Sequence, residues 1–208
     1  MKGIIICIWR AWFVFWAGMG IVIFAPLFYI ALLFDKSLAS FCVAARMWSR
    51  FILTISGVST KSVIEQPLEK GKTYIICANH ASLLDGWVMC ALSKNPIVFV
   101  GKKELVKIPI FGFFYKKVVI MVDRSSPKSR KRVFEMAKKR LQNGVSMAIF
   151  PEGLVPTENV VLAPFKKGAF SLAIEYKIPI VTQVYYDCKR LFSWDFFKGS
   201  PGVFRIHQ

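Results

Sequence analysis

The sequence predicts an α/β fold, a mixed and largely parallel sheet flanked by helices and preceded by an N-terminal membrane-anchoring helical segment. Three observations carry this. From residue 57 onward, short apolar runs rich in Ile and Val alternate with helix-forming stretches, as strands and crossover helices do in parallel sheets. The run Tyr74-Ile75-Ile76-Cys77-Ala78 breaks off at Asn79-His80, as a buried strand does at the edge of its sheet. Ahead of it all, Ala11 to Phe34 contains no charged residue, roughly twenty-four positions and enough to cross a hydrocarbon core of ~30 Å. The expected division is residues 1–56 as membrane-associated helices and 57–208 as the α/β domain. No internal repeat, low-complexity tract or long linker divides it further.

In the N-terminal segment, Trp9, Trp12, Trp16 and Tyr29 are placed for the membrane interfaces, with Lys2 and Arg10 on the N-terminal side. The apolar run is too long for a cleaved signal peptide. Pro26, with Gly18 and Gly20, leaves open a re-entrant hairpin in place of a single span. Leu38 to Ile55 reads as an amphipathic helix stopped by Gly57, and Val58 to Glu65 as a strand. Ala81 to Leu92 reads as a helix, with Ser82 placed to cap its first turn.

Ile97 to Val100 is a short buried strand. Ile108 to Phe114, punctuated by Pro109 and Gly112, reads as a loop that touches lipid or lines an apolar tunnel, with core packing as the alternative. A strand over Val118 to Val122 is followed by Ser126-Pro127, a capping residue and a proline at the first helical position. That helix ends at Asn143-Gly144. Ser146 to Phe150 is a strand running into Pro151-Glu152-Gly153, a helix extends to Tyr176, and strands follow at Ile178 to Val184 and Val203 to Ile206.

Composition narrows the partners. The 29 Lys and Arg against 12 Asp and Glu leave a charge of +17, which attracts anionic phospholipid, nucleic acid or an acidic carrier protein. Residues 101–140 alone hold thirteen basic and three acidic side chains, a functional basic surface. Nucleic acid is not expected as a partner, because no helix-turn-helix, zinc-finger or aromatic RNA-binding pattern accompanies the charge. The five cysteines are scattered in apolar runs without a CxxC or Cys/His cluster, so no metal site is expected and a reducing compartment fits.

The chemistry centres on His80. It stands at a strand-to-helix switch, where α/β folds keep their functional groups, and only one other histidine, His207, exists. Asp85 follows five residues later, within reach of the imidazole across one helical turn. A carboxylate there would fix the tautomer and stabilise the imidazolium formed when the ring takes a proton. The plainer alternative has His80 ending a strand and Asp85 in a solvated first turn. Ser82 reads as a cap rather than a nucleophile, and no Gly-x-Ser-x-Gly elbow occurs, which counts against a serine hydrolase.

Four blocks in order resemble the glycerolipid (lysophospholipid) acyltransferase family, most closely the bacterial 1-acylglycerol-3-phosphate acyltransferases. They are Asn79-His80-x-x-x-x-Asp85; Gly101-Lys102-Lys103-Glu104-Leu105 through Pro109, Gly112 and Asp123-Arg124; Phe150-Pro151-Glu152-Gly153; and Ile178-Pro179-Ile180-Val181. The phrase Phe165-Lys166-Lys167-Gly168-Ala169-Phe170 is similar to one found in the family. The resemblance covers about residues 70–184. It implies a membrane enzyme, with its catalytic domain on the cytoplasmic face, that moves an acyl chain from acyl-CoA or acyl-carrier protein to the free hydroxyl of lysophosphatidic acid. No cofactor is implied. His80 is the expected general base and Asp85 its orienting carboxylate. Lys102, Arg124, Glu152, Gly153 and Lys166 are expected at the substrate, with Asn79 (a candidate oxyanion donor), Ser82 and Pro179 in support.

The family's third block usually continues into Thr-Arg, where this chain has Leu154-Val155. The phosphate charge that the arginine would meet therefore falls to Lys102, Arg124 or Lys166. Relatives also commonly run somewhat beyond the position of Gln208. Rival readings on the same residues are a thioesterase or phospholipase with water as acceptor, and a membrane-tethered binder of anionic lipid or nucleic acid.

Overall fold

The structure, a computed structural model, describes residues 2–35, 38–123 and 126–208. Seven strands form one mixed sheet: β1 (Val58–Val63), β2 (Ile75–Ala78), β3 (Ile97–Lys102), β4 (Ile120–Val122), β5 (Ser146–Ile149), β6 (Ile180–Tyr185) and β7 (Gly202–His207), in the order β1-β7-β6-β2-β5-β3-β4. β6, β2, β5, β3 and β4 run parallel, whereas β7 is antiparallel to β6 and parallel to β1. The sheet is thus mixed and largely parallel, as the alternation of strand and helix predicts.

Side-chain alternation along the central strands decides the layering. Ile76, Ala78 and Ala148 point to one face, covered by α1 (Lys2–Phe34), α2 (Ala39–Ile55) and α3 (Leu84–Leu92). Ile75, Cys77 and Met147 point to the other, covered by α5 (Pro127–Gln142) and α6 (Gly168–Tyr176). Because β2 is covered on both faces, all four of its residues are buried, which is why it reads as an unbroken apolar run.

α1 is one continuous helix of 33 residues that passes through Pro26, so the chain does not fold back on itself as a hairpin there. Phe13, Ile21, Phe28 and Ala31 form its buried stripe, with Phe28 stacked on Phe41 at 4.9 Å and Phe13 edge-on to Trp87. The opposite face is bare. α1 and α2 share one core with the sheet. In α2, Arg46 donates to Lys94 O and Arg50 to Ala91 O, satisfying carbonyls at the C-terminal end of α3.

The stretch read as a loop at Ile108–Phe114 is instead largely helical: a short 3-10 turn (Lys103–Lys107) leads into α4 (Phe111–Val118). Gly112 permits it, because any β-carbon there would collide with Val106 O. α4 and α1 frame an open apolar cleft of about 500 Å³ between Val22, Pro26, Tyr29, Ile110 and Phe113. α5 begins as read, with Ser126 Oγ accepting from Ser129 N, and it packs through Val133, Ala137 and Leu141. Lys131, Arg132, Lys138 and Lys139 stay exposed along its outer side.

Candidate active site

Parallel register brings the sequence blocks to one place. Ile76 pairs with Ala148 and Cys77 with Ile149, so the segments leaving β2 and β5 emerge side by side at the carboxyl edge of the sheet, where α/β folds bind ligands. His80 follows β2 and Phe150-Pro151-Glu152 follows β5. The two rings stack at 4.1 Å and 16°. The His80 backbone N–H donates to Glu152 Oε1 at 2.7 Å, and Ala163 N donates to Glu152 Oε2 at 2.8 Å. Glu152 is buried, with both oxygens engaged by backbone. It shapes the site and does not present its carboxylate to a ligand.

Asp85, in the first turn of α3, is fully buried. Its Oδ2 accepts from Ala81 N at 2.7 Å and Ser82 N at 2.8 Å, and lies 3.0 Å from His80 Nδ1. Two backbone donors at the start of α3 fix the carboxylate with Oδ2 facing the ring. Nδ1 is then the protonated nitrogen, and Nε2 is left with its lone pair free to take a proton. The His80 side chain is 25% exposed, open enough for a substrate to reach it.

Ser82 is buried and its Oγ accepts from Leu84 N at 3.0 Å, a turn-forming bond just ahead of α3, which starts three residues later than the sequence predicts. The N-cap position falls on Leu83, without a side-chain cap, so Ser82 shapes the preceding turn instead of capping the helix, and burial removes it as a nucleophile. Asn79 is not an oxyanion donor. Its Nδ2 donates to Tyr185 O at 3.0 Å and its Oδ1 accepts from Tyr185 N at 2.8 Å, so the amide clamps the end of β2 to the end of β6. Pro179 lies at the other edge of the sheet, where its carbonyl accepts from Ile75 N. The fourth block thus meets the site only through its far end, at Tyr185.

The cationic residues distribute unevenly. Lys102 ends β3 at the carboxyl edge with an exposed side chain. Lys166 joins the third-block turn: its N–H donates to Pro151 O at 2.8 Å, and its side chain crosses Gly153. The φ of +69° at Gly153 favours glycine, and a β-carbon there would stand 2.9 Å from Lys166 Cδ, so that the lysine chain would have to move aside. Arg124 lies outside the described residues.

Three neighbours escaped the sequence reading. Phe150 lies inside the third sequence block, and that membership is its one signal in the sequence. Tyr185 and Cys188 had none, since both reach the site from more than a hundred residues away. Asp85 Oδ1 is buried without a well-formed hydrogen bond, and the Cys188 thiol is close to it. Burial, then the Asp85 charge, pushes the Cys188 pKa far up, so this thiol stays protonated and is no nucleophile. The Tyr185 hydroxyl is likewise pushed up by burial and then by Asp85, and donates to Gln183 Oε1. Among the described residues, no group of His, Cys, Asp or Glu has the makings of a metal site.

Comparison with known proteins adds an independent line. The chain is 33% identical over 157 residues to a 1-acyl-sn-glycerol-3-phosphate acyltransferase of Saccharomyces cerevisiae, covering 73% of this chain and 50% of that protein. It is 35% identical over 112 residues to a protein of the same name from Cocos nucifera, covering 53% of this chain and 36% of the other. The chain therefore spans half or less of the length of these relatives. The crystal structure of the 1-acyl-sn-glycerophosphate (LPA) acyltransferase PlsC from Thermotoga maritima superposes with a TM-score of 0.76 at 20% identity, covering 100% of this chain and 85% of that one, and so has the same fold. The family model described as Acyltransferase matches residues 59–186, more than half of the chain and all four sequence blocks, and this chain belongs to that family.

Proposed function

We propose that the protein is a membrane-bound O-acyltransferase that moves an acyl chain from acyl-CoA or acyl-carrier protein to the free hydroxyl of lysophosphatidic acid, giving phosphatidic acid. The observation that carries this reading is the His80 Nδ1–Asp85 Oδ2 contact of 3.0 Å at the carboxyl edge of the sheet, in a member of the acyltransferase family. The names of the relatives support the substrate.

His80 Nε2 takes the proton of the acceptor hydroxyl as its oxygen attacks the thioester carbon. The C–O bond forms, the tetrahedral oxyanion collapses, the C–S bond breaks, and the imidazolium returns its proton to the departing thiolate. Asp85 stabilises the imidazolium in between. No covalent enzyme intermediate is needed, in keeping with a buried Ser82 and a protonated Cys188. Lys102, Lys166 and Arg124 supply the positive charge for the substrate phosphate in place of the arginine that Leu154-Val155 lacks.

Lysolipid and product both reside in the bilayer, and α1 is the element that holds the enzyme there. One face of α1 is packed on the domain from Phe13 to Ala31, so the helix lies along the protein with its bare face to lipid. The exposed cations of α5 suit the anionic cytoplasmic leaflet, and the five free cysteines suit a reducing compartment.

The test is acyl transfer by membranes holding the protein, given lysophosphatidic acid and labelled donors, beside His80→Ala at equal expression. The expected result is phosphatidic acid from the wild type and a loss of about 10²–10⁴-fold with His80→Ala. Free fatty acid as the sole product would make water the acceptor. A folded, membrane-bound wild type that acylates no lysophosphatidic acid with either donor would remove this substrate.

A further inference from the structure

We propose that two segments outside the N-terminal helices, the loop tip Val160–Leu162 and the aromatic segment Trp194–Phe197, form a second lipid-contacting rim that seats the mouth of the active site on the bilayer surface. The inference rests, for its purpose, on the reading that the site acts on a lipid.

Both segments present large apolar side chains to the outside. Val161 is 88% exposed and Leu162 52%; Trp194, Phe196 and Phe197 are 59%, 55% and 66% exposed. Scattered apolar side chains on a surface mean little, but a joined patch of aromatics marks an interaction site. These are joined. Ser193 Oγ donates to Glu158 Oε1 at 2.7 Å and Trp194 N to the same oxygen at 3.3 Å, which ties the aromatic segment to the loop. The ammonium of Lys189 donates to three carbonyls of that loop, at Thr157, Glu158 and Val160 (2.8, 3.0 and 2.6 Å). A lysine spent on three backbone oxygens gives the loop a defined shape with its apolar tip turned outward.

The rim is continuous at both ends. Towards α1, the Arg10 guanidinium packs over Phe192 at 4.5 Å and Phe196 at 5.4 Å, and a methyl group on Gly3 would stand 3.9 Å from Phe197. Beside it on α1, Ile4, Ile5 and Ile8 are 63–67% exposed. Towards the chemistry, Leu162 is followed by Ala163, whose N–H is held by Glu152, and Glu152 also holds the His80 backbone. A bare apolar helix, an aromatic patch and an apolar loop tip thus lead to the catalytic histidine.

The occupant that fits is a bilayer. Trp194, Phe196 and Phe197 beside Arg190 and Lys198 have the composition of a protein surface at headgroup depth, where aromatic rings sit below the phosphates and cations among them. The patch also continues from the one helix of the described residues that is long and apolar enough to enter a membrane. Seating this rim would place the mouth of the site against the headgroup layer, so that a lysolipid need not pass through water.

The full chain would be reconstituted in vesicles of phosphatidylcholine and phosphatidylglycerol doped with a phosphatidylcholine carrying a diazirine on its acyl chain, photolysed and mapped by mass spectrometry. Label is expected on residues 160–162 and 194–197 as well as on α1. Label confined to α1 and α2, or loss of it to contact with a second copy of the chain, overturns the proposal. Labelling needs no turnover, so it tests the rim even if lysophosphatidic acid is not the substrate. In a second arm, the double variant Val161→Asp, Phe197→Asp is assayed. It should lose about tenfold in rate on lysolipid presented in vesicles and keep the wild-type rate on a short-chain, monomerically dissolved lysolipid. Equal losses on both overturn the seating role.

Discussion

At His80 the division of labour between the two ring nitrogens is set by a single carboxylate oxygen. Asp85 Oδ2 accepts from two backbone N–H groups and faces Nδ1, and the carboxylate is wholly buried. Replacing it by asparagine keeps an acceptor for the backbone but removes the negative charge that the imidazolium needs. It also allows the ring to turn or change tautomer. Asp85→Asn is therefore expected to fold and to bind membranes as the wild type does, while kcat falls by about 10²-fold or more and KM changes little. Steady-state kinetics beside a thermal melt separates the outcomes. A variant that melts at the wild-type temperature and keeps wild-type kcat would mean that Asp85 neither orients His80 nor stabilises its charged form. On the same residue scale, the φ of +69° favours glycine at Gly153 in the third block. Lys166 crosses it, and so a charge reaches the turn that lacks the family's arginine.

Between elements, the ends of β6 and β7 are held by one acid. Asp187 accepts from Arg205 N, Nε and Nη2 and from Arg190 Nε, joining β7 to α7 (Cys188–Leu191) just beyond Tyr185, which Asn79 grips. The Arg205 bonds, ahead of the other partners, hold the Asp187 pKa well below the ordinary carboxylate value of ~3.9. Both guanidinium groups are more than half exposed (61% and 55%), so screening limits the loss in Asp187→Asn to about 1.5–3 kcal/mol. A depressed carboxylate pKa contributes stability that is complete above the unfolded value and is lost as pH falls through the folded one. The melting gap between wild type and Asp187→Asn should therefore be constant from neutrality to about pH 5 and narrow below about pH 4. A gap that persists unchanged in acid would assign the effect to packing. Elements of this kind mark where sequence reading stops. The strand at Ile75–Ala78, the cap at Ser126-Pro127 and the His80–Asp85 spacing are local patterns, and each appears where the sequence predicts it. The clamp of Asn79 on Tyr185 and the stacking of Phe150 on His80 come from register between distant strands, which no local pattern encodes. α4 departs from the sequence expectation for a different reason. Pro109 and Gly112 look like breakers, yet Gly112 is there to let a helix turn pass close to Val106.

For the molecule as a whole, the question is whether residues 1–56 are an anchor attached to a domain or part of that domain's core. Phe13 and Phe28 are almost completely buried, and their contacts come from several parts of the fold: Trp87 on α3, Phe114 on α4, Phe41 and Trp48 on α2, and Phe192 near the C-terminus. Fully burying a phenylalanine side chain contributes about 1.5–3 kcal/mol. Two such rings amount to a sizeable share of the net stability of an ordinary domain, about 5–15 kcal/mol. One face of α1 is bare and the other completes the protein, so the membrane attachment proposed above and the folding of the domain would share one helix. Removing residues 1–37 is therefore expected to do more than release the domain into solution. The shortened chain should lose its cooperative melt and its near-ultraviolet aromatic signal while retaining much of its far-ultraviolet signal, as happens when packing is lost before secondary structure. If α1 were a mere tether, the same truncation would give a soluble domain that melts cooperatively near the full-length temperature, with the Trp48 and Trp87 signals intact.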